Sequence, residues 1–496
     1  MIRLTLTFLA LSGLASASDV ALDEREWKLL TSENFRVHTV LSDERTTELL
    51  RQLEVMRVAL GNPKATATFQ AAVPTVILAL DNDADYQLIG APDTTVGFFI
   101  SDQRENAIVV QVNDQVHGAR TILHEYVHYL HRQNGRVTYP RWFEEGNAEY
   151  LSSSRVSEES YDYGLPIVSR LQTLTFASWL PMTDVLELSD LSSLTIDQGD
   201  LFYSQSWLLV HFLNSLPDAD ESIPKNIRRY GELVVDGSSR VTAFEQAFSL
   251  KVDDLDDKLL KYLLANDFQF RSIAIDTALP DFSPRIETLA TSEVQIALAE
   301  MAMRFLNDKE AEQWFMKALS DDATRPRAES GLGTVYGYRG DIAKASERFE
   351  AAIYLVSYDF RMWMDYAQFW ADRISVTDDI RQRDAYGKRL EESLRNALTI
   401  SDATPELNAL MGIAYMAQGK DIDEAIEYLI TATEQSPTDQ PSRLLLASAY
   451  LFAKRFHLAI NTAESVLRFE HESNEITAAA DEIIRMSWDL LDWPSE

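Results

Sequence analysis

His124-Glu125-Tyr126-Val127-His128 places two histidines four residues apart. On a helix that spacing puts both imidazoles on one face, so both can reach a single cation. Glu125 projects beside them, close enough to take a proton from a water held there. Read blandly, the same residues are a histidine pair on the surface of an amphipathic helix. Pro140, 12 residues after His128, can open a second helix that carries Glu144, Glu145 and Glu149. Glu144 points about 100° away from Glu145 and reads as a solvated charge. Glu149, one turn beyond Glu145, shares its face: it can accept the second N–H of a ligand histidine, or be a surface acid. The chain contains no cysteine. Any metal must therefore be held by nitrogen and oxygen, and a thiol nucleophile or a disulfide framework is excluded.

The second helix reads Pro140-Arg-Trp142-Phe-Glu-Glu145-Gly146-Asn-Ala148-Glu-Tyr150. Together with the His-Glu-x-x-His helix, this resembles the peptidase MA-like branch of the gluzincin metallopeptidases. The signature of that branch continues with Trp-x-x-Glu-Gly-x-Ala-x-Tyr. The resemblance implies an α/β N-terminal region with a helical subdomain, and Zn2+ held by His124, His128 and, after 16 intervening residues, Glu145. It implies Glu125 as the base that activates water. Tyr203-Ser204-Gln205-Ser206-Trp207 leads into an apolar helix over Leu208 to Leu213. Gluzincins of the aminopeptidase type place an oxyanion-stabilising tyrosine at such a helix start, which matches Tyr203; the other reading is a packing tyrosine. His131 is no metzincin ligand, because that pattern needs the ligand at Asn134, and it reads as an exposed helix residue. His211 packs or faces solvent. Of the aminopeptidases' Gly-x-Met-Glu-Asn strand only Glu105-Asn106 is present, so recognition of a free amino terminus is not implied.

These residues need elements to position them. Phe35 to Val40 alternates as a strand, Asp43 to Leu60 carries a helical stripe, and Val73 to Leu80 reads as a buried strand. Asp81 to Asp85 reads as a solvated turn. Val96 to Ser101 and Ala107 to Val112 read as a hairpin, and the second of these strands is available to pair with an extended substrate. Val116 to Gln133 is the metal helix, ended by Asn134-Gly135, and Arg141 to Leu151 is the next. Helical patterning runs on to about Phe268, and Pro280 and Pro284 mark a boundary near 275–287.

Beyond it the chain repeats. Leu298-Ala299, Leu332-Gly333, Tyr366-Ala367, Met411-Gly412 and Leu446-Ala447 start five similar helix pairs. Ala299 to Gly333 and Gly333 to Ala367 are each 34 residues, whereas Ala367 to Gly412 is 45, an insertion around Ser375 to Lys388. Small residues here let paired helices approach, and Tyr336, Trp370, Tyr415 and Tyr450 fill the next turn. The pattern resembles the tetratricopeptide repeat, which implies an all-α solenoid that grips a protein partner.

Composition sets the outer limits. The 496 residues are 46% hydrophobic and 25% charged, enough for two or three ordered domains. Forty-five basic against 78 acidic residues give a net charge of −33, which argues against nucleic acid as a partner. Met1-Ile2-Arg3, an apolar run from Leu4 to Leu14 and Ala15-Ser16-Ala17 have the form of a leader, so the mature chain is expected to be exported, periplasmic or secreted. No stretch reaches the roughly 20 apolar residues of a membrane span. The expected organisation is a signal peptide at 1–18, a metallopeptidase domain at 19–278 and a repeat domain at 286–496. The expected function is hydrolysis of a peptide or protein substrate through a zinc-activated water. Two rivals stand beside it: a non-catalytic scaffold with a structural metal site, and a zinc hydrolase of non-peptide amides.

Overall fold

The computed structural model describes residues 20–60, 75–92, 97–101, 106–112, 115–133, 139–157, 159–188, 191, 194–274, 284–437, 439–469 and 475–491. The leader-like segment, Val73-Pro74, Glu105 and Asn134-Gly135 lie outside the described residues.

A six-stranded mixed sheet organises the N-terminal part. Its first strands are β1 (Lys28–Thr31) and β2 (Phe35–Thr39), followed by helix α1 (Asp43–Leu60) and β3 (Thr75–Leu80). The short helix α2 (Asp83–Leu88) leads to β4 (Gly97–Ser101) and β5 (Asn106–Gln111). In space the order is β4-β5-β3-β2-β1-β9, where β9 is Arg285–Thr288. β2, β3 and β5 run parallel to one another, and β1, β4 and β9 pair antiparallel. Two expectations change here. The Asp81–Asp85 stretch is no solvated turn: Asn82 caps α2 and accepts from Asp85 N, while buried Asp85 receives two hydrogen bonds from Arg25. β5 lies between β3 and β4 with both sides paired, so among the described residues the edge strand on this side of the sheet is β4.

The period-two alternation gives the sheet two apolar faces. Val37, Ile77, Ile108 and Val110 point to α1 and to α3 (Gln115–Gln133), where Leu50, Leu53, Tyr126 and Leu130 complete a core. Leu78, Leu80, Ala107 and Val109 point the other way. There they meet Trp27, Tyr86 and the first repeat helix α11 (Thr291–Arg304) through Val294, Leu298 and Met301. The boundary expected near 275–287 is therefore bridged. Residues 285–288 complete the sheet beside β1, and the helical repeats begin at Thr291.

A helical subdomain follows α3. Helix α4 (Arg141–Ser152) precedes a small sheet of β6 (Ser154–Val156), β7 (Ser160–Tyr163) and β8 (Arg271–Ala274). Between β7 and β8 run α5 (Val168–Phe176), α6 (Met182–Glu187), α7 (Ile196–Ser215), α8 (Ala219–Val235), α9 (Arg240–Phe248) and α10 (Leu255–Ala265). Their core gathers Trp142, Phe202, Trp207 and Phe244.

The C-terminal part is an all-α solenoid of tetratricopeptide-like helix pairs: α11 with α12 (Asp308–Ala318), α13 (Arg325–Tyr338) with α14 (Ile342–Leu355), and α15 (Phe360–Ser375) with α16 (Ile380–Leu398). Then follow α17 (Pro405–Ala417) with α18 (Ile422–Gln435), α19 (Gln440–Phe452) with α20 (Phe456–Phe469), and a last helix α21 (Glu475–Leu491). Ala299, Gly333, Ala367, Gly412 and Ala447 sit at the contacts between helices, all buried. The extra residues of the third pair are taken up by the turn 376–379 and by α16, which is 19 residues long.

Candidate metal centre

Helices α3 and α4 bring the first candidates together. His124 Nε2 and His128 Nε2 stand 3.1 Å apart. Glu145 Oε2 is 3.4 Å from the first and 3.3 Å from the second. A tetrahedral cation with ligand bonds of about 2.0–2.1 Å requires ligand atoms roughly 3.3 Å apart, so these three atoms fit a zinc ion. Glu145 Oε2 is buried and takes no closer hydrogen bond. Burial opposes its charge, but His128 and His124 outweigh it and hold the carboxyl well below the usual range. Burial likewise disfavours a charged His128, yet the Glu145 carboxylate raises it to about 9. Two basic nitrogens and an anionic oxygen thus converge on one point, the donor set of a divalent transition metal.

Glu149 sits behind this triangle, with Oε1 3.5 Å from His124 Nδ1. Its carboxylate also receives Arg120 at 2.7 Å and Arg170 at 2.9 Å. Burial would raise its pKa; Arg170, His124 and Arg120 together hold it at about 2. A proton on His124 Nδ1 facing Glu149 leaves the Nε2 lone pair for the cation. Arg120 also lines a groove of about 840 Å3, together with Leu49, Leu123, Ser153 and Ile167.

Glu125 lies where α3 passes the edge strand. A Cβ built on Gly97 of β4 would stand 3.6 Å from Glu125 Oε1 and 2.5 Å from Thr121 Cγ2, so only glycine lets the strand come this near.

Tyr203 reaches the site from α7. Its ring centroid is 6.4 Å from that of His124, and the Arg170 guanidinium lies 5.4 Å above it. Burial, then the carboxylates of Glu145, Glu125 and Glu149, push its pKa up, so the hydroxyl keeps its proton. It is not at a helix start. A capping box of Thr195 and Gln198 begins α7 two turns earlier, and the polar Ser204-Gln205-Ser206 stretch is buried within the helix. Gln205 accounts for part of that polarity by bonding both Leu180 N and Leu180 O.

Two neighbours differ from expectation, and a third packs as one of its readings had it. Glu144 is buried and accepts from Arg141 at 3.0 Å. His131 is buried against Tyr139 and Phe143, and its Nε2 accepts from Asn147 Nδ2 at 2.8 Å. Burial lowers its pKa to about 3. Buried His211 bonds Tyr262 and Gly164 O, which makes it a packing residue. Sequence reasoning missed Arg120 and Arg170, whose positions 29 and 21 residues from Glu149 carry no local signal.

No family model matches the chain, nor does any curated protein. Among solved structures the chain is similar to a thermophilic TPR protein of Thermus thermophilus, with 16% identity, 39% of this chain and 99% of that one covered, and a TM-score of 0.35. It is also similar to pilF of Pseudomonas aeruginosa, with 17% identity, 40% and 85% coverage and a TM-score of 0.34. Yeast Tom70 follows with 12% identity, 74% and 73% coverage and a TM-score of 0.32. The spacing and packing of the helix pairs within this chain define its solenoid. Among the described residues no helix is long and apolar enough to cross a membrane.

Proposed function

We propose that the chain is an exported zinc-dependent peptidase that holds an extended peptide along β4 and hydrolyses it beside Glu125. One observation carries this reading: the 3.1–3.4 Å triangle of His124, His128 and Glu145, with a further acid, Glu125, on the same helix. Glu125 has no place in holding a cation, and its position suits proton transfer. His124, His128 and Glu145 would hold a zinc ion, which would supply Lewis acidity toward a carbonyl and a water near neutral pH. Glu125 takes the proton of the attacking water and returns it to the leaving amine. The Tyr203 hydroxyl donates to the carbonyl oxygen as charge builds there. The outer edge of β4 offers an extended peptide a ladder of backbone groups. The repeats hold the substrate protein or a partner protein over their concave surface.

The solenoid itself favours a second reading, a non-catalytic protein-binding scaffold whose metal only fastens α3 to α4. Metal analysis and a quenched-fluorescent peptide library separate the two. The peptidase reading expects about one zinc per chain, hydrolysis abolished by chelation, and a Glu125→Gln protein that keeps zinc but does not cleave. The scaffold reading expects chelation to lower the melting temperature with no hydrolysis in either protein.

A further inference from the structure

The turn between α11 and α12 carries an apolar left-handed residue where the equivalent turns carry glycine or lysine. In the second and fourth helix pairs the residue after the first helix is left-handed and is glycine, Gly340 at φ +77° and Gly419 at φ +61°. The first pair closes with the same hydrogen-bond pattern, Leu306 N to Met303 O and Asn307 N to Ala302 O, but its left-handed residue is Leu306 at φ +57°. Left-handed backbone crowds a Cβ, so leucine is a costly choice there. Its side chain is 60% exposed. An exposed apolar side chain held in a strained turn points to a use outside folding.

The turn's surroundings indicate that use. Phe305 packs edge-to-face on Phe98 of β4 at 5.5 Å. Asn307 Nδ2 donates to Leu88 O at 2.9 Å, which fixes the turn beside α2. Phe98 and Leu88 remain 37% and 39% exposed. Phe98 follows Gly97, which touches Glu125 on the opposite face of the same strand. A peptide paired on the outer edge of β4 sends alternate side chains to the two faces. Those on the Gly97 face approach the metal helix; those on the Phe98 face approach the turn. We propose that Leu306, with Phe305, Phe98 and Leu88, forms a subsite contributed by the first repeat, which takes a large aliphatic or aromatic side chain of the substrate peptide. The proposal rests on the peptidase reading above.

The test uses the full-length, zinc-loaded protein and fluorescent ten-residue Ala/Ser peptides in which a single leucine or glycine is walked through every position. Binding is measured by anisotropy on the non-cleaving Glu125→Gln protein, and cleavage on the wild type. At one position leucine should bind about tenfold more tightly than glycine, as burial of a leucine side chain allows. Leu306→Gly should erase that ratio while the protein keeps its zinc and melts at the same or a higher temperature, since glycine suits the turn. Leu306→Lys should erase it too; Lys454 occupies the same turn position in the fifth pair at φ +58°, so the backbone tolerates the change. A leucine preference that survives both substitutions, or no preference at any position on a wild type that does cleave, overturns the subsite. Absence of zinc-dependent cleavage by the wild type overturns the peptidase reading, and the subsite with it.

Discussion

A Cβ on Gly146 would stand 2.3 Å from the carbonyl oxygen of Ser206, so α4 and α7 meet backbone to backbone beside the candidate metal centre. The contact sits one residue from Glu145 and three from Tyr203. It is the reason these side chains share one site although 57 residues of chain separate Glu145 from Tyr203. Gly146→Ala must push the helices apart, at about 1–3 kcal/mol of overpacking. A lower melting temperature together with weaker zinc binding is the expected result; unchanged values would show that the helices can slide without cost.

Tyr203→Phe removes one hydroxyl and almost no volume. Turnover should fall about 10²-fold with zinc and melting temperature retained, as for loss of an oxyanion donor. A packing tyrosine would leave turnover intact, so kinetics on metal-replete protein decide the role.

Glu149→Gln should weaken zinc binding about 10–100-fold, because the amide orients His124 less firmly and leaves Arg120 and Arg170 without their carboxylate. Competition against a chromophoric chelator measures this. Equal affinity in mutant and wild type would reduce Glu149 to an anchor for the two arginines.

His38 gives stability an acid limit. Burial and neighbouring Arg36 hold its imidazole down at about 4, with Glu300 opposing and Arg327 assisting from the repeats. An unfolded histidine titrates near 6.5, so between these values the unfolded chain binds a proton that the folded chain refuses. The stabilisation is complete above pH 6.5 and is lost as pH falls towards 4, at up to about 3 kcal/mol. Urea melts at pH 7 and pH 4.5 should show wild type losing more stability than His38→Gln; parallel losses would contradict this.

Cutting the chain at the expected domain boundary should fail. A fragment 19–278 lacks β9 and exposes Leu78, Leu80 and Val109, which α11 otherwise covers. It should aggregate or come out without zinc, whereas a fragment carried through α14 to residue 358 should be soluble. Solubility and metal content of the two fragments provide the check.

The parts of this architecture that obey a local period were readable from the residues. Histidines four apart, alternation at Phe35–Val40 and small residues recurring at 34 or 35 positions, with one longer interval of 45, each announce their element, and the structure has helices or strands there. What the sequence concealed depends on contacts distant in the chain. Arg285-Ile-Glu-Thr288 has no apolar alternation, because both of its faces are largely open, and it is a strand only because β1 offers an edge. Ser204-Gln205-Ser206 looks like a loop entering a helix, yet Leu180 supplies the partners that let Gln205 be buried. The burial of Glu144 and His131 likewise comes from Arg141, Tyr139 and Phe143 around them.

Helical arrays fray from ends that lack a cap. Here the mixed sheet serves as the cap at one end, since α11 lies on its apolar face and β9 runs directly into the array. Among the described residues α21 is the last helix of the array, packed on α19 and α20. Under load the pair α11–α12 should yield together with the sheet whose core it shares, after the repeats that pack on helices alone. Sequence change is correspondingly cheap in the distal repeats and expensive in the first, so the distal repeats can vary without disturbing the candidate metal centre.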